Sequence, residues 1–97
     1  MIVEIECLPE PRGTDASPYA YVEAAIAVIQ GSGLNSSVGA LGTTFEGPPE
    51  RVWPLVREAH EACLKAGATK LVTIVKMIES EGDGPTMGSL TARYAPR

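Results

Sequence analysis

Residues 36–47, SSVGALGTTFEG, decide how this chain of 97 residues is expected to fold. Gly39 and Gly42 permit a tight reversal of the backbone, while the β-branched and aromatic residues beside them favour extended strands. The stretch therefore predicts a β-hairpin. Its dense set of small hydroxyl groups would suit a small ligand, although hydroxyls that only face water would produce the same pattern.

A strand and a helix are predicted before the hairpin. Residues 2–8 alternate with period two, so that Val3, Ile5 and Cys7 face the core. Residues 17–30 have apolar side chains at helical spacing, and Ser17 before a first-turn proline predicts the N-cap. The apolar stripe of this helix consists of Val22, Ala25, Ile26 and Ile29.

A second helix and a last strand follow the hairpin. Residues 49–66 are apolar on one helical face and end before Gly67, a residue that favours a helix stop. Pro54 lies one turn inside this helix and lacks a backbone donor, so we expect a kink or a separate first turn. Residues 70–79 are rich in β-branched side chains and predict a strand with two largely apolar faces.

The order βαββαβ predicts an α+β, ferredoxin-like fold. Right-handed crossovers would place the first strand between the third and the last, in an antiparallel four-stranded sheet with two helices on one face. A chain of this length forms a single domain, residues 1–97. Within it, residues 80–97 form a variable tail, of which only 86–94 could fold as a short helix.

The helix-free face of this sheet is expected to carry Glu6, Lys76 and the hairpin threonines. Apolar side chains on the same face are those of Ile2, Leu8, Ile74 and Ile78. A surface of this kind is too hydrophobic to leave in water, so we expect a second copy of the chain to cover it, in a dimer or a tetramer. Glu6 and Lys76 would form either a cross-strand ion pair or a ligand contact.

Composition limits the classes of partner. The chain has 8 Lys and Arg against 12 Asp and Glu, and its net charge of -4 argues against nucleic acid and anionic membranes. It opens directly into a strand pattern and has no long apolar run, so we expect a soluble, cytoplasmic protein. Cys7 and Cys63 lack the spacing of a metal site and are predicted to be buried apolar residues, although the sequence leaves a disulfide between them open.

Six short segments also resemble the small thiamine-binding protein family, the YkoF-like single-domain proteins. In chain order they are residues 2–5 (IVEI), 38–39 (VG), 42–47 (GTTFEG), 56–62 (VREAHEA), 65–68 (KAGA) and 72–76 (VTIVK). Each segment alone is weak, but their order and spacing are fairly specific, and together they extend over about four-fifths of the chain.

The resemblance implies a ferredoxin-like subunit that forms dimers and tetramers. It also implies binding of thiamine or its hydroxymethylpyrimidine moiety near an intersubunit surface, without catalysis and without a cofactor or metal. The implied ligand-binding residues are Thr43, Thr44, Glu46 and Lys76, which Ser37 and Glu6 join as neighbours in the predicted hairpin and sheet. The chain departs from the family pattern at Pro54 and in the tail after Glu79.

The chemistry of these residues suits such a ligand. Hydroxyls, a carboxylate and backbone groups satisfy the amino donor and the ring-nitrogen acceptors of an aminopyrimidine, and an acidic protein attracts the thiazolium cation. Glu46 has a second explanation, because a carboxylate there also stabilises the start of the next helix. His60, the sole histidine, is expected to be a half-buried packing residue with a local hydrogen bond.

Two other functions are compatible with the pattern. Small ferredoxin-like dimers also form α+β barrels used by mono-oxygenases and isomerases, for which His60, Tyr19 or Tyr21 would be the catalyst. The sequence has no nucleophile–base pair and no phosphate loop that would support this enzyme. A purely structural or regulatory module would join subunits through its open sheet and bind no small molecule.

Overall fold

The computed structural model describes residues 1–94, in which four strands and three α-helices form. In chain order these are β1 (Ile2–Glu10), α1 (Ala20–Gly31), β2 (Asn35–Val38), β3 (Thr43–Glu46), α2 (Pro49–Ala66), β4 (Lys70–Ile78) and α3 (Met87–Thr91), followed by a 3₁₀ turn, Ala92–Tyr94. The α+β class and the antiparallel four-stranded sheet are confirmed. A third, short helix follows the two that the sequence predicts, and residues 95–97 of the predicted tail lie outside the described residues.

The sheet has the order β2-β3-β1-β4, so β1 lies in its interior. Strand β4 pairs antiparallel with the whole of β1, from Ile2 opposite Ile78 to Glu10 opposite Lys70. Strand β3 pairs with β1 only from Ile2 to Ile5. Along residues 6–10 the edge of β1 on the β3 side therefore has no strand beside it within the described part of the chain.

The core lies between the sheet and the two long helices. Val3 and Ile5 of β1 are buried with Phe45 of β3, as their period-two positions predict. The helices contribute Ala25, Ile29, Val52, Leu55, Ala59 and Cys63 to the same cluster. Burial of a side chain such as Phe45 stabilises the fold by roughly 1.5–3 kcal/mol relative to its exposure.

Helix α1 begins three residues later than its predicted cap. Tyr19 is the N-cap residue and its side chain makes no capping hydrogen bond, so the prediction of Ser17 as the cap is wrong. Ser17 instead closes a turn with Thr14, whose carbonyl and hydroxyl both accept from the Ser17 N–H, at 3.2 Å and 3.1 Å. The carbonyl of Ser17 in turn accepts from the N–H of Ala20, at 3.1 Å, so Ser17 belongs to the turn that precedes the helix.

Helix α2 is continuous through Pro54, so the expected separate first turn is wrong. The proline lies in the second turn, where its missing N–H deprives only the carbonyl of Glu50 of a helical partner. Glu50 and Pro54 are both exposed, and water can satisfy that carbonyl.

Gly67 ends α2 in a backbone conformation that other residues rarely adopt. Its φ is 142°, and its N–H donates to the carbonyls of Cys63 and Leu64. A Cβ at this position would lie 2.6 Å from the ring and hydroxyl of Tyr21 in α1. The close approach of the two helices therefore depends on a residue without a side chain.

We expect Gly67→Ala to lower the free energy of unfolding by roughly 1–3 kcal/mol, because it adds backbone strain and a clash with Tyr21. Denaturant titration measures this loss. Gly31→Ala at the end of α1 is the matched control, since its Cβ would meet no atom within 4 Å. Equal midpoints for the two variants would show that the packing of Gly67 against Tyr21 is unimportant.

Candidate functional site

A cavity of about 300 Å³ lies beside the free edge of β1. Its walls are residues 5–9 of β1, the hairpin loop 39–43 and the inner face of α1, with Arg12 and Tyr19 from the preceding connection. Small-molecule sites in proteins have volumes of about 300–1,000 Å³ and mostly apolar walls with a few polar groups. The cavity is therefore just large enough for one small heteroaromatic ligand.

The free edge of β1 exposes main-chain hydrogen-bonding groups to this cavity. Neighbouring residues of a strand direct these groups to opposite sides. The carbonyl of Met1 accepts from Gly47 on the β3 side, at 3.1 Å, and that of Glu10 accepts from Thr69 on the β4 side, at 2.8 Å. The main-chain N–H and C=O groups of the odd-numbered residues of β1 thus point toward β3. The first residue of β3, Thr43, lies opposite Ile5.

Cys7 is the next odd-numbered residue after Ile5. Its N–H and C=O consequently point toward the cavity, beyond the first residue of β3. Within the described part of the chain, no backbone hydrogen bond joins these two groups to the hairpin loop. A donor and an acceptor on one residue of a strand edge can pair with a flat molecule that offers an acceptor beside a donor. This is the chemical capacity of the site.

Side chains add a small number of polar groups to the cavity. Thr43 is 5% exposed, lines the cavity, and has no side-chain hydrogen bond within the described residues. At the rim, the Arg12 guanidinium lies 5.3 Å from the centre of the Tyr19 ring, a cation–π contact between two exposed side chains. Glu6 also borders the cavity.

The six predicted ligand-binding residues do not all lie on one face of the sheet. Thr43 lines the cavity, whereas Ser37, Thr44, Glu46 and Lys76 lie at positions on the helix-free face; Glu6 belongs to that face by its place in β1 and also borders the cavity. Neighbouring residues of a strand point to opposite faces, which separates Thr43 from Thr44. The prediction that the hairpin threonines share one face is therefore wrong.

The helix-free face has a row of polar residues across all four strands. Ser37, Thr44, Glu4 and Lys76 lie opposite one another in the strand register. Lys76 Nζ lies 3.7 Å from Glu4 Oε1, so the expected ion pair with Glu6 is wrong; Glu6 lies opposite Ile74. Both partners of the observed pair are exposed, and such pairs stabilise a fold by at most about 1 kcal/mol.

Glu46 fastens the C-terminal tail. Its carboxylate accepts hydrogen bonds from Asn35 Nδ2, at 2.6 Å, and from the backbone N–H of Met87, at 2.9 Å. These two bonds, from Asn35 above all, hold the pKa of Glu46 below its ordinary value. Glu46 lies opposite Ile2, so the tail crosses this end of the helix-free face, where Ile2 is only 8% exposed.

Sequence reasoning missed this contact between residues 41 positions apart. A signal for the helix itself is present: Thr86 and Ser89 form a reciprocal capping box at the start of α3. Nothing in the local sequence indicates where that helix attaches. The chain has 12 Asp and Glu residues, and the sequence does not single out Glu46 as the carboxylate that makes the contact.

The candidate catalysts of the enzyme hypothesis are dispersed. His60 Nδ1 lies 2.6 Å from the Thr73 hydroxyl, which confirms His60 as a half-buried, hydrogen-bonded packing residue, although the bond joins α2 to β4 and is not local. Tyr21 contacts Gly67, and only Tyr19 lines the cavity. In residues 1–94 no group of three or more His, Cys, Asp or Glu side chains could hold a metal, and none of the helices there is long and apolar enough to cross a bilayer.

Comparison with known proteins gives matches over nearly the whole chain. The family model described as thiamine-binding protein matches residues 3–94. A UPF0045 protein of Clostridium perfringens is 30% identical over 92 residues, which make up 95% of this chain and 94% of that protein. The matched region includes both the cavity and the described part of the tail.

Solved structures show the same fold. A Bacillus cereus domain of unknown function, DUF77, superposes with a TM-score of 0.81 at 30% identity and covers 98% of this chain and 91% of its own. A Thermotoga maritima protein with a proposed role in thiamine biosynthesis or salvage has a TM-score of 0.80 at 24% identity, with 97% of each chain covered. At that identity the second likeness shows the fold alone.

The lowered pKa of Glu46 makes docking of the tail dependent on pH. Its contribution is complete above the ordinary pKa of 4.5 and is lost as the pH falls through the lowered value. At neutral pH we expect Glu46→Ala to speed amide hydrogen exchange at Met87 and in α3, while the free energy of global unfolding falls by only about 1 kcal/mol.

Glu50→Ala, at an exposed position in the first turn of α2, is the control for the loss of a surface carboxylate. It should leave exchange in α3 unchanged. Tail amides equally protected in Glu46→Ala and in the wild type would contradict the assignment of Glu46 as the fastening residue.

Proposed function

Because the chain belongs to the thiamine-binding protein family, we propose that it binds thiamine or its hydroxymethylpyrimidine moiety and catalyses no reaction on it. Sequestration, transport or sensing of the vitamin would each use such binding. The observation that supports the proposal is the cavity beside β1, in which apolar walls adjoin an unpaired strand edge. A low-polarity cavity strengthens the few hydrogen bonds that orient a ligand within it.

In this proposal the pyrimidine ring pairs with the main chain of Cys7. A 4-aminopyrimidine has an amino donor next to a ring-nitrogen acceptor. The Cys7 C=O would accept from the amino group while the Cys7 N–H donates to the ring nitrogen, and both are directed to the open edge of β1. The apolar side chains of α1 would cover the faces of the ring.

Side chains at the cavity complete the proposed recognition. Thr43 offers a hydroxyl to a further pyrimidine atom or to the hydroxymethyl group. Because a charge is costly to bury among apolar walls, the neutral pyrimidine would lie inside and the thiazolium at the mouth, where Arg12 is an unfavourable neighbour. Glu6 and the acidic net charge of -4 would attract that cation toward the mouth.

We extend the proposal to assembly. The strand order and the two long helices would form a ferredoxin-like subunit that pairs through its helix-free face. Val72, Ile74 and Ile78 on β4 are each about half exposed there, and a twofold axis would bury them against their own copies. Ser37, Thr44 and Lys76 would then lie between subunits, apart from the cavity, and a ligand bound between subunits would be the alternative to one bound in the cavity.

Calorimetric titration with thiamine, its phosphates and hydroxymethylpyrimidine tests the function. We expect saturable binding of one ligand per chain. The analogue with a 4-oxo group in place of the amino group should bind at least about tenfold more weakly. Its oxo group would face the Cys7 C=O, acceptor against acceptor, and its ring N–H would face the Cys7 N–H, donor against donor. A folded protein that gives no heat and no thermal shift with any of these ligands would favour the structural module.

Two adjacent threonines provide a matched pair of variants for the same titration. Thr43→Val removes the cavity hydroxyl at nearly constant volume and should weaken binding by up to about tenfold, the value of one hydrogen bond. Thr44→Val makes the same chemical change on the other face of the sheet and should leave affinity unchanged. The reverse order of effects would place the ligand on the helix-free face.

The assembly has a separate test. We expect Ile74→Glu to reduce the mass in solution to that of one chain, since a charge would lie in the apolar part of the interface. Leu64→Glu introduces the same charge at an exposed position of α2 and should leave the mass unchanged. Light scattering of purified protein distinguishes these results, and an unaltered mass for Ile74→Glu would exclude this face.

A further inference from the structure

An arginine at the mouth of the cavity has hydrogen-bond donors that no protein group uses. Arg12 lines the cavity, and its guanidinium lies 5.3 Å from the centre of the Tyr19 ring. Within the described part of the chain its side chain donates no hydrogen bond and forms no ion pair, whereas those of Arg51 and Arg57 each donate to an oxygen. A guanidinium has five N–H donors, so an acceptor at the mouth can pair with several of them.

The backbone of Arg12 is fixed against the start of α1. Its carbonyl accepts from the Tyr21 N–H, at 3.0 Å. The next residue, Gly13, approaches the turn before α1 so closely that a Cβ there would clash with the Ser17 carbonyl. Arg12 therefore extends from a tightly folded connection, and its place beside the cavity does not depend on its side chain.

The start of α1 adds partial positive charge to the same part of the cavity. The helix has 12 residues, and its N-cap residue, Tyr19, lies in the cavity wall and makes no capping hydrogen bond. Val22, in the first turn, also lines the cavity, and its N–H has no acceptor within residues 1–94. Unpaired N–H groups and aligned peptide dipoles at the start of a helix favour an anion.

The carboxylates near the cavity do not cancel this positive charge. Arg12 and Glu6 are the charged residues among those that line the cavity in the described part of the chain. Glu6 has an even position in β1, and side chains at those positions belong to the helix-free face. Glu23, the acidic residue in the first turn of α1, is exposed and is not part of the wall. The helix side of the mouth therefore favours a negative group over a thiazolium cation.

We propose that the cavity selects a pyrimidine whose hydroxymethyl group carries a phosphate, and that Arg12 binds this phosphate. The inference rests on the proposed function, because it takes a pyrimidine in the cavity as its starting point and identifies the group attached to it. Parallel N–H donors of a guanidinium match two oxygens of a phosphate, and the start of α1 adds to the attraction. The phosphate lies at the mouth in contact with water, which avoids the cost of burying its charge.

The same arrangement distinguishes related ligands. Thiamine places a cation next to Arg12, where the pyrimidine phosphate places an anion. In thiamine monophosphate the phosphate lies beyond the thiazolium ring, farther from the pyrimidine, so the contact with Arg12 is not available to it. The net charge of -4 opposes any anion at long range, and the preference must therefore come from contacts at the mouth.

Calorimetric titration with hydroxymethylpyrimidine, its phosphate, thiamine and thiamine monophosphate tests the inference. We expect the pyrimidine phosphate to bind at least about tenfold more tightly than the unphosphorylated pyrimidine, since hydrogen bonds to charged groups are among the strongest. Phosphorylation of thiamine should give no such gain. Arg12→Gln should abolish the preference for the pyrimidine phosphate.

Arg57→Gln is the matched control, because it removes the same charge from an exposed position on α2 that is not part of the cavity wall. It should keep the full preference. Circular dichroism checks that both variants are folded, which we expect because the backbone hydrogen bond of Arg12 does not involve its side chain.

The outcomes separate this inference from the function on which it rests. A folded protein that binds none of the four ligands would overturn both. Binding of hydroxymethylpyrimidine or thiamine without a gain from the phosphate on the pyrimidine would overturn this inference alone. A preference that persists in Arg12→Gln, or an equal gain for thiamine monophosphate, would show that Arg12 does not select the phosphate.

Discussion

The central strand β1 is hydrogen-bonded along its full length to β4 but along less than half of it to β3, and this unequal pairing shapes the candidate site. Strand β3 begins only at Thr43, and the hairpin loop before it, together with α1, encloses the space that a longer β3 would fill. A buried N–H or C=O without a partner costs about 1–3 kcal/mol. The main chain at Cys7 is therefore a place where water or a ligand replaces the missing strand.

The same sheet divides the polar residues of the hairpin between two surfaces. Thr43 belongs to the cavity side, while Thr44 and Glu46 belong to the helix-free face. On that face Glu46 is engaged by Asn35 and by the tail, and Lys76 by Glu4. The geometry thus leaves Thr43 as the hairpin residue whose hydroxyl group is available to the cavity, whereas its neighbours organise a surface that also exposes apolar side chains.

Sequence periodicity predicted the strands, the two long helices and the inward positions of Val3 and Ile5, because those features follow from local alternation. It could not predict the register. A shift of two positions exchanges Glu4 for Glu6 opposite Lys76 without changing which residues face the core, so burial does not select between them. The length of β3 and the attachment of Met87 to Glu46 likewise depend on contacts between distant parts of the chain.

The main chain and the side chain of Cys7 face different surroundings. Its N–H and C=O lie in the plane of the sheet and point toward the missing part of β3, whereas its side chain stands perpendicular to the sheet and packs against the core cluster. Replacement of the side chain removes the thiol but leaves the main-chain donor and acceptor in place. Recognition of a pyrimidine by the main chain of Cys7 is consequently separable from the packing of its side chain in the core.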